Sequence, residues 1–74
     1  MQKDNILMSI RHNQQDKEKL GAQLKTIRQE RNMSQEELAR LLEVSVFCIS
    51  RWESAKHFPN QSMLKLMKML KVLP

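Results

Sequence analysis

The sequence predicts an all-α fold, and three observations carry that expectation. Gly occurs once and Pro twice in 74 residues, so there are few places to break a helix. Tyr is absent and aromatic residues make up only 4% of the chain, which leaves little of the material that strands favour. Capping residues stand just ahead of stretches whose apolar positions recur at helical spacing. A chain of this length holds one domain; it buries only about 60% of its unfolded surface, so a partner subunit would help it.

Residues 1–15 are polar except for Ile6, Leu7, Met8 and Ile10, and read as an N-terminal arm, disordered or carrying a short helix. Packing on the domain, or reaching a polyanion through Lys3 and Arg11, are the alternatives for this arm. Residues 16–74 form the domain proper. Asp16 is the expected cap of a first helix running to about Arg31, with Leu20, Leu24, Ile27 and Arg31 along one face. Asn32 follows where a left-handed residue usually ends a helix. Ser34-Gln35-Glu36-Glu37 is the sharpest local signal, a capping box opening a second helix that buries Leu38, Ala39 and Leu42.

Ser45 is the expected cap of a third helix from 46 to about 55. Ile49 marks its buried face, with Ser45, Trp52 and Glu53 at neighbouring angles. Phe47, Ser50, Arg51 and Ser54 lie opposite, with Val46 at the border. His57-Phe58-Pro59 forms a loop, and Asn60 caps a fourth helix over 61–72. Met63, Leu66, Met67 and Leu70 give that helix a core face, while Leu64, Met69 and Leu73 are in part unexplained by it. Adaptable Met-rich surface of this kind suits an interface.

Thirteen Lys plus Arg against eight Asp plus Glu leave a net charge of +5, which draws the chain toward nucleic acid or an acidic membrane surface. From Arg51 onward five basic residues (Arg51, Lys56, Lys65, Lys68, Lys71) face a single acid, Glu53. Cys48 is alone, so it forms no intramolecular disulfide and belongs to no metal-ligand cluster; it reads as a small half-buried residue in a reducing cytosol. The run Asn5 to Met8 is too short for a signal-peptide core or a membrane span, so a cytoplasmic, nucleoid-associated protein is expected. There is no nucleophile–base set, phosphate-cradling Gly loop or cofactor motif, so the sequence points away from an enzyme.

Two short helices about three residues apart, the second polar on its outer side, form a helix-turn-helix arrangement. Residues 20–72 resemble the lambda-repressor-like (Cro/repressor, xenobiotic-response-element) family. The matching pieces are Leu24-Lys25-Thr26-Ile27-Arg28, Met33-Ser34-Gln35-Glu36-Glu37-Leu38-Ala39, Val44-Ser45, Ile49-Ser50-Arg51-Trp52-Glu53, Pro59, and Leu66 with Leu70. The resemblance implies a compact four- to five-helix domain that lays its second helix across the DNA backbone and its third in the major groove of double-stranded DNA. A fifth helix is frequent in the family, and this chain ends before one.

Residue by residue, the resemblance assigns Gln35 a phosphate contact, and the positive helix end with its free N–H groups agrees with that. Val46, Phe47, Ser50 and Arg51 match base-reading positions, with Ser34 and Ser45 at the starts of the same two helices. Arg51 suits either a bidentate contact to guanine or a plain phosphate contact. Ser54 and Lys56, with His57, fall where the family meets phosphate again. Arg28 and Glu53 match a largely buried ion pair with a structural role. Val46-Phe47-Cys48 departs from the family, which has polar or small residues there; Phe47 would then meet thymine methyl groups or a protein partner. Ala55 and Glu43 each replace a frequent Gly.

The function expected from all this is a sequence-specific transcriptional regulator, a repressor, acting as a homodimer through the 61–72 region. The alternative is a protein-binding adaptor such as an antirepressor or the antitoxin of a toxin pair.

Overall fold

The computed structural model describes residues 13–74, so the sequence expectations for residues 1–12 lie outside it. Four helices follow one another: α1 (Gln14–Glu30), α2 (Gln35–Leu42), α3 (Val46–Glu53) and α4 (Gln61–Met69). Among the described residues there is no strand. The principal helix–helix packing joins α1 to α3 and α2 to α3. Leu24, Leu38, Leu42, Ile49, Met67 and Val72 fill the centre with almost no exposure, and Leu20, Ala39, Trp52 and Leu73 complete the core.

Each helix begins on a side chain that accepts from an otherwise unpaired backbone N–H. Ser34, Ser45 and Asn60 cap α2, α3 and α4 as the sequence predicts, and Ser34 with Glu37 forms the full capping box. The first helix differs. Asn13, not Asp16, is its cap, accepting from the Asp16 N–H at 2.8 Å. The helix therefore starts at Gln14, inside the segment read as an arm. Asp16 lies in the first turn, where a carboxylate meets the positive end of the helix dipole.

All four helices end the same way. One or two positions past each C-terminus stands a residue with a positive φ: Asn32 at 57°, Glu43 at 58°, Ala55 at 65° and Lys71 at 61°. Each is flanked by the paired backbone bonds of a Schellman turn. After α3, for example, the Lys56 N–H reaches the Arg51 carbonyl at 2.9 Å and the Ala55 N–H reaches that of Trp52 at 3.3 Å. None of the four is Gly. The left-handed state costs a residue with a Cβ about 1–2 kcal/mol. Ala55→Gly and Glu43→Gly are each expected to stabilise the domain by about 0.5–1 kcal/mol, after allowing for glycine's extra freedom in the unfolded chain. A melting curve would show this as a rise of roughly 2–8 °C per substitution.

The structure departs from three of the sequence expectations. Helix α3 stops at Glu53 and not near 55, because Ser54 and Ala55 make its closing turn. Helix α4 stops at Met69 and not at 72; Lys71 turns the chain back, so Val72 (1% exposed) and Leu73 (6% exposed) enter the core from outside the helix. Leu73 is thus accounted for, Leu64 is half-buried, and Met69 alone of that group stands in solvent, 76% exposed. Arg31 is exposed too, beyond the apolar face of α1; its guanidinium donates to the carbonyls of Leu70 (3.3 Å) and Lys71 (2.5 Å), closing the C-terminal end of α4.

Gly21 sits in the middle of α1, buried, where a helix ordinarily prefers any other small residue. A Cβ built there would lie 2.5 Å from the Trp52 carbonyl oxygen and 3.0 Å from that of Glu53. The only glycine of the chain is therefore placed where α1 meets the backbone of α3. It is not used at any of the four left-handed positions.

Candidate nucleic-acid interface

Only three residues, Glu43, Val44 and Ser45, separate α2 from α3. The left-handed Glu43 reverses the chain and Val44 tucks half-buried against the core, its N–H bonded to the Ala39 carbonyl at 3.0 Å. Helix α3 is gripped along one side: Ile49 is wholly buried and Trp52 nearly so. The opposite side is open. Phe47 is 71% exposed, and Ser50, Arg51 and Ser54 are exposed beside it, while Val46 at the border is half-buried. Lys56 follows, exposed, in the turn after the helix.

The far end of α3 is tied down by charge. Arg28 on α1 meets Glu53 through two hydrogen bonds, Nε to Oε2 at 2.6 Å and Nη2 to Oε1 at 3.0 Å. A two-point contact of this kind fixes orientation as well as distance. The pair is nearly enclosed, with side-chain exposures of 11% for Arg28 and 4% for Glu53. Arg28 also donates to the Met33 carbonyl at 2.8 Å, holding the turn between α1 and α2. Donating hydrogen bonds to the Glu53 carboxylate pushes the Arg28 guanidinium above its ordinary pKa, against a smaller opposing effect of burial.

Sequence reasoning missed one member of this cluster. Gln35 Nε2 donates to Glu53 Oε1 at 3.0 Å, so Glu53 collects donors from both α1 and α2. Gln35 is half-buried at the first position of α2, and its amide has a second N–H beyond the one Glu53 takes. Another tie, from Gln14 Nε2 to the Ala55 carbonyl at 3.2 Å, fastens the start of α1 to the turn after α3. No motif signals these bonds, because their partners lie far apart in sequence.

The serines divide between surface and scaffold. Ser34 and Ser45 are exposed, but both hydroxyl oxygens serve as caps, accepting from Glu37 N–H (3.0 Å) and Cys48 N–H (3.4 Å). Ser45 therefore does not join the buried face of α3 as the sequence reading had it; its hydroxyl also approaches the Cys48 sulfur at 3.6 Å. Ser54 donates weakly to the Arg51 carbonyl at 3.4 Å. Ser50 and Arg51 are the polar residues of the open face for which no such internal tie is seen.

Two short helices at this spacing, the second clamped inward on one side and open on the other, define a helix-turn-helix, a class of module that docks on duplex DNA. The chain belongs to the helix-turn-helix domain family, whose model matches residues 19–72. It is also similar to the HTH-type transcriptional activator BcrR of Enterococcus faecalis, with 48% identity over 42 residues. That stretch covers 57% of this chain but only 21% of the relative, so the chain spans a small part of that protein's length. No solved structure gives a significant match. No helix among the described residues is long and apolar enough to cross a membrane.

Proposed function

We propose that the chain is a sequence-specific DNA-binding transcriptional regulator that reads the major groove of double-stranded DNA with α3. The observation that carries this reading is the two-sidedness of that helix, with Ile49 and Trp52 buried and Phe47, Ser50 and Arg51 presented outward from a rigid mount. The family match and the regulator among its relatives support the same class. Val46, Phe47, Ser50 and Arg51 are the proposed base-reading group. Gln35, Ser34 and Ser45 at helix starts, and Ser54 and Lys56 after α3, are the proposed backbone-contacting group. Gln35 suits its part because the bond to Glu53 fixes the amide while leaving one N–H to donate.

Repression by occupancy is the proposed output, since it asks nothing of the domain beyond binding its site. The relative that is named an activator shares 42 aligned residues with this chain, 21% of its own length. A reporter whose promoter overlaps a selected site should lose expression when the protein is present; a gain would reverse this assignment. The protein is proposed to act in the cytoplasm at the nucleoid, as a homodimer through the 61–72 region, on half-sites about 34 Å apart. Support for that dimer narrows to the exposed Met69, because the core takes up Leu73 and the inner side of α4.

Fluorescence anisotropy with duplexes selected from a random pool tests the reading. Affinity should fall steeply as salt rises, because each neutralised phosphate releases counterions. Arg51→Ala should relax preference at one position by about 1–3 kcal/mol, whereas Gln35→Ala should weaken all sites alike. Stoichiometry at saturation should be two chains per duplex. The adaptor reading, an antirepressor or antitoxin, draws on the exposure of Phe47 and Met69. It gains ground if no duplex is selected and a stoichiometric protein partner is lost on Phe47→Ala.

A further inference from the structure

The open face of α3 offers little hydrogen-bonding capacity for a helix meant to read bases: besides Arg51, the Ser50 hydroxyl is the one polar group there without an internal tie. Val46 and Phe47, at its leading end, carry no side-chain donor or acceptor. The Ser45 hydroxyl is engaged at the helix start and that of Ser54 at the helix end. Arg51 is the one long side chain on this face able to make a two-point contact with a base edge. Phe47 is 71% exposed although nothing in the fold requires an aromatic ring there, and its burial would come from a ligand. In the major groove, the apolar feature that a phenyl ring can meet is the C5-methyl group of thymine.

Resting on the DNA-binding reading, we propose that Phe47, with Val46 beside it, reads a pyrimidine C5-methyl group while Arg51 reads a neighbouring guanine. The two side chains are four residues apart, about 6 Å along the helix axis, which spans roughly two base-pair steps of 3.4 Å when α3 lies along the groove. Each half-site therefore holds a thymine within about two steps of a guanine. Because the ring meets the methyl group and not a donor or acceptor, the selection is for the methyl itself. A 5-methylcytosine in that place presents the same group at the same edge, so cytosine methylation turns a poor site into a good one.

The test uses the full chain and its selected duplex, with each thymine replaced in turn by deoxyuridine, which removes only the methyl. At least one replacement should weaken binding about fourfold, the equivalent of one buried methyl group. Cytosine at that position should bind poorly, and 5-methylcytosine should restore most of the loss. Phe47→Ala should bind more weakly than the parent and treat thymine and deoxyuridine alike, while Phe47→Leu should keep part of the discrimination. Circular dichroism checks that both variants fold, as expected for so exposed a side chain. Tight binding indifferent to deoxyuridine at every thymine overturns this inference and leaves the DNA-binding reading standing. Discrimination that survives unchanged in Phe47→Ala also overturns it. Failure to select any duplex removes both.

Discussion

Glu53→Ala is expected to lower folding stability by about 3–5 kcal/mol, because it strands the enclosed Arg28 guanidinium without its partner. The loss is larger than a surface ion pair would give, since three donors converge on this carboxylate: Arg28 Nε, Arg28 Nη2 and Gln35 Nε2. Such pairs are weak against an apolar replacement yet strong against removal of one member. The double variant Arg28→Met/Glu53→Leu should therefore recover much of what Glu53→Ala alone loses. Urea unfolding followed by fluorescence of Trp52, the single tryptophan, measures each variant. A cost below about 1 kcal/mol for Glu53→Ala would place the pair among ordinary surface contacts.

The sign of the pH dependence on the arginine side follows from the direction of its shift. The folded state raises the Arg28 pKa above its unfolded value, so that contribution is fully present below the unfolded value and is lost only as pH climbs through the folded one. Both lie in the strongly alkaline range. Denaturant midpoints compared across neutral pH should show no loss that traces to Arg28 deprotonation.

Much of this architecture is legible in the sequence because its signals are local. A cap and its helix lie within four residues of each other, so Ser34, Ser45 and Asn60 announce α2, α3 and α4. Asn13 and Asp16 are both good capping types three residues apart, and only the bond from the Asp16 N–H to the Asn13 side chain makes Asn13 the cap. The end of α4 is hidden in the sequence for a related reason. Leu70, Val72 and Leu73 continue an apolar pattern that fits a helix, while the turn at Lys71 carries no Gly to mark it. Arg28 and Glu53 were legible only through a family resemblance, for nothing local joins residues 25 positions apart. Gln35 shows where this fails: a polar residue at a helix start reads as a surface group, and its bond to Glu53 exists only in the assembled domain.

Gly21→Ala should destabilise the domain by about 1–3 kcal/mol, the range for forcing extra atoms into a filled site. Helix propensity argues the other way, favouring Ala over Gly in a helix interior by about 1 kcal/mol. Geometry decides between them. The added methyl would stand 2.5 Å from one backbone oxygen of α3 and 3.0 Å from the next, and backbone atoms cannot swing aside as a flexible side chain would. Helices α1 and α3 must part, and the displaced segment, Trp52-Glu53, is also the one that Arg28 grips. The substitution should thus weaken DNA binding as well as folding, since the mount of the reading helix moves. Ala22→Gly, next along α1 and exposed, supplies the contrast: it should cost about 1 kcal/mol through propensity alone and leave binding by the folded protein unchanged. Thermal and urea unfolding of the two variants test the pair together. If Gly21→Ala instead stabilises the protein, α1 and α3 are not in backbone contact, and the rigid presentation of Phe47 and Arg51 loses its foundation.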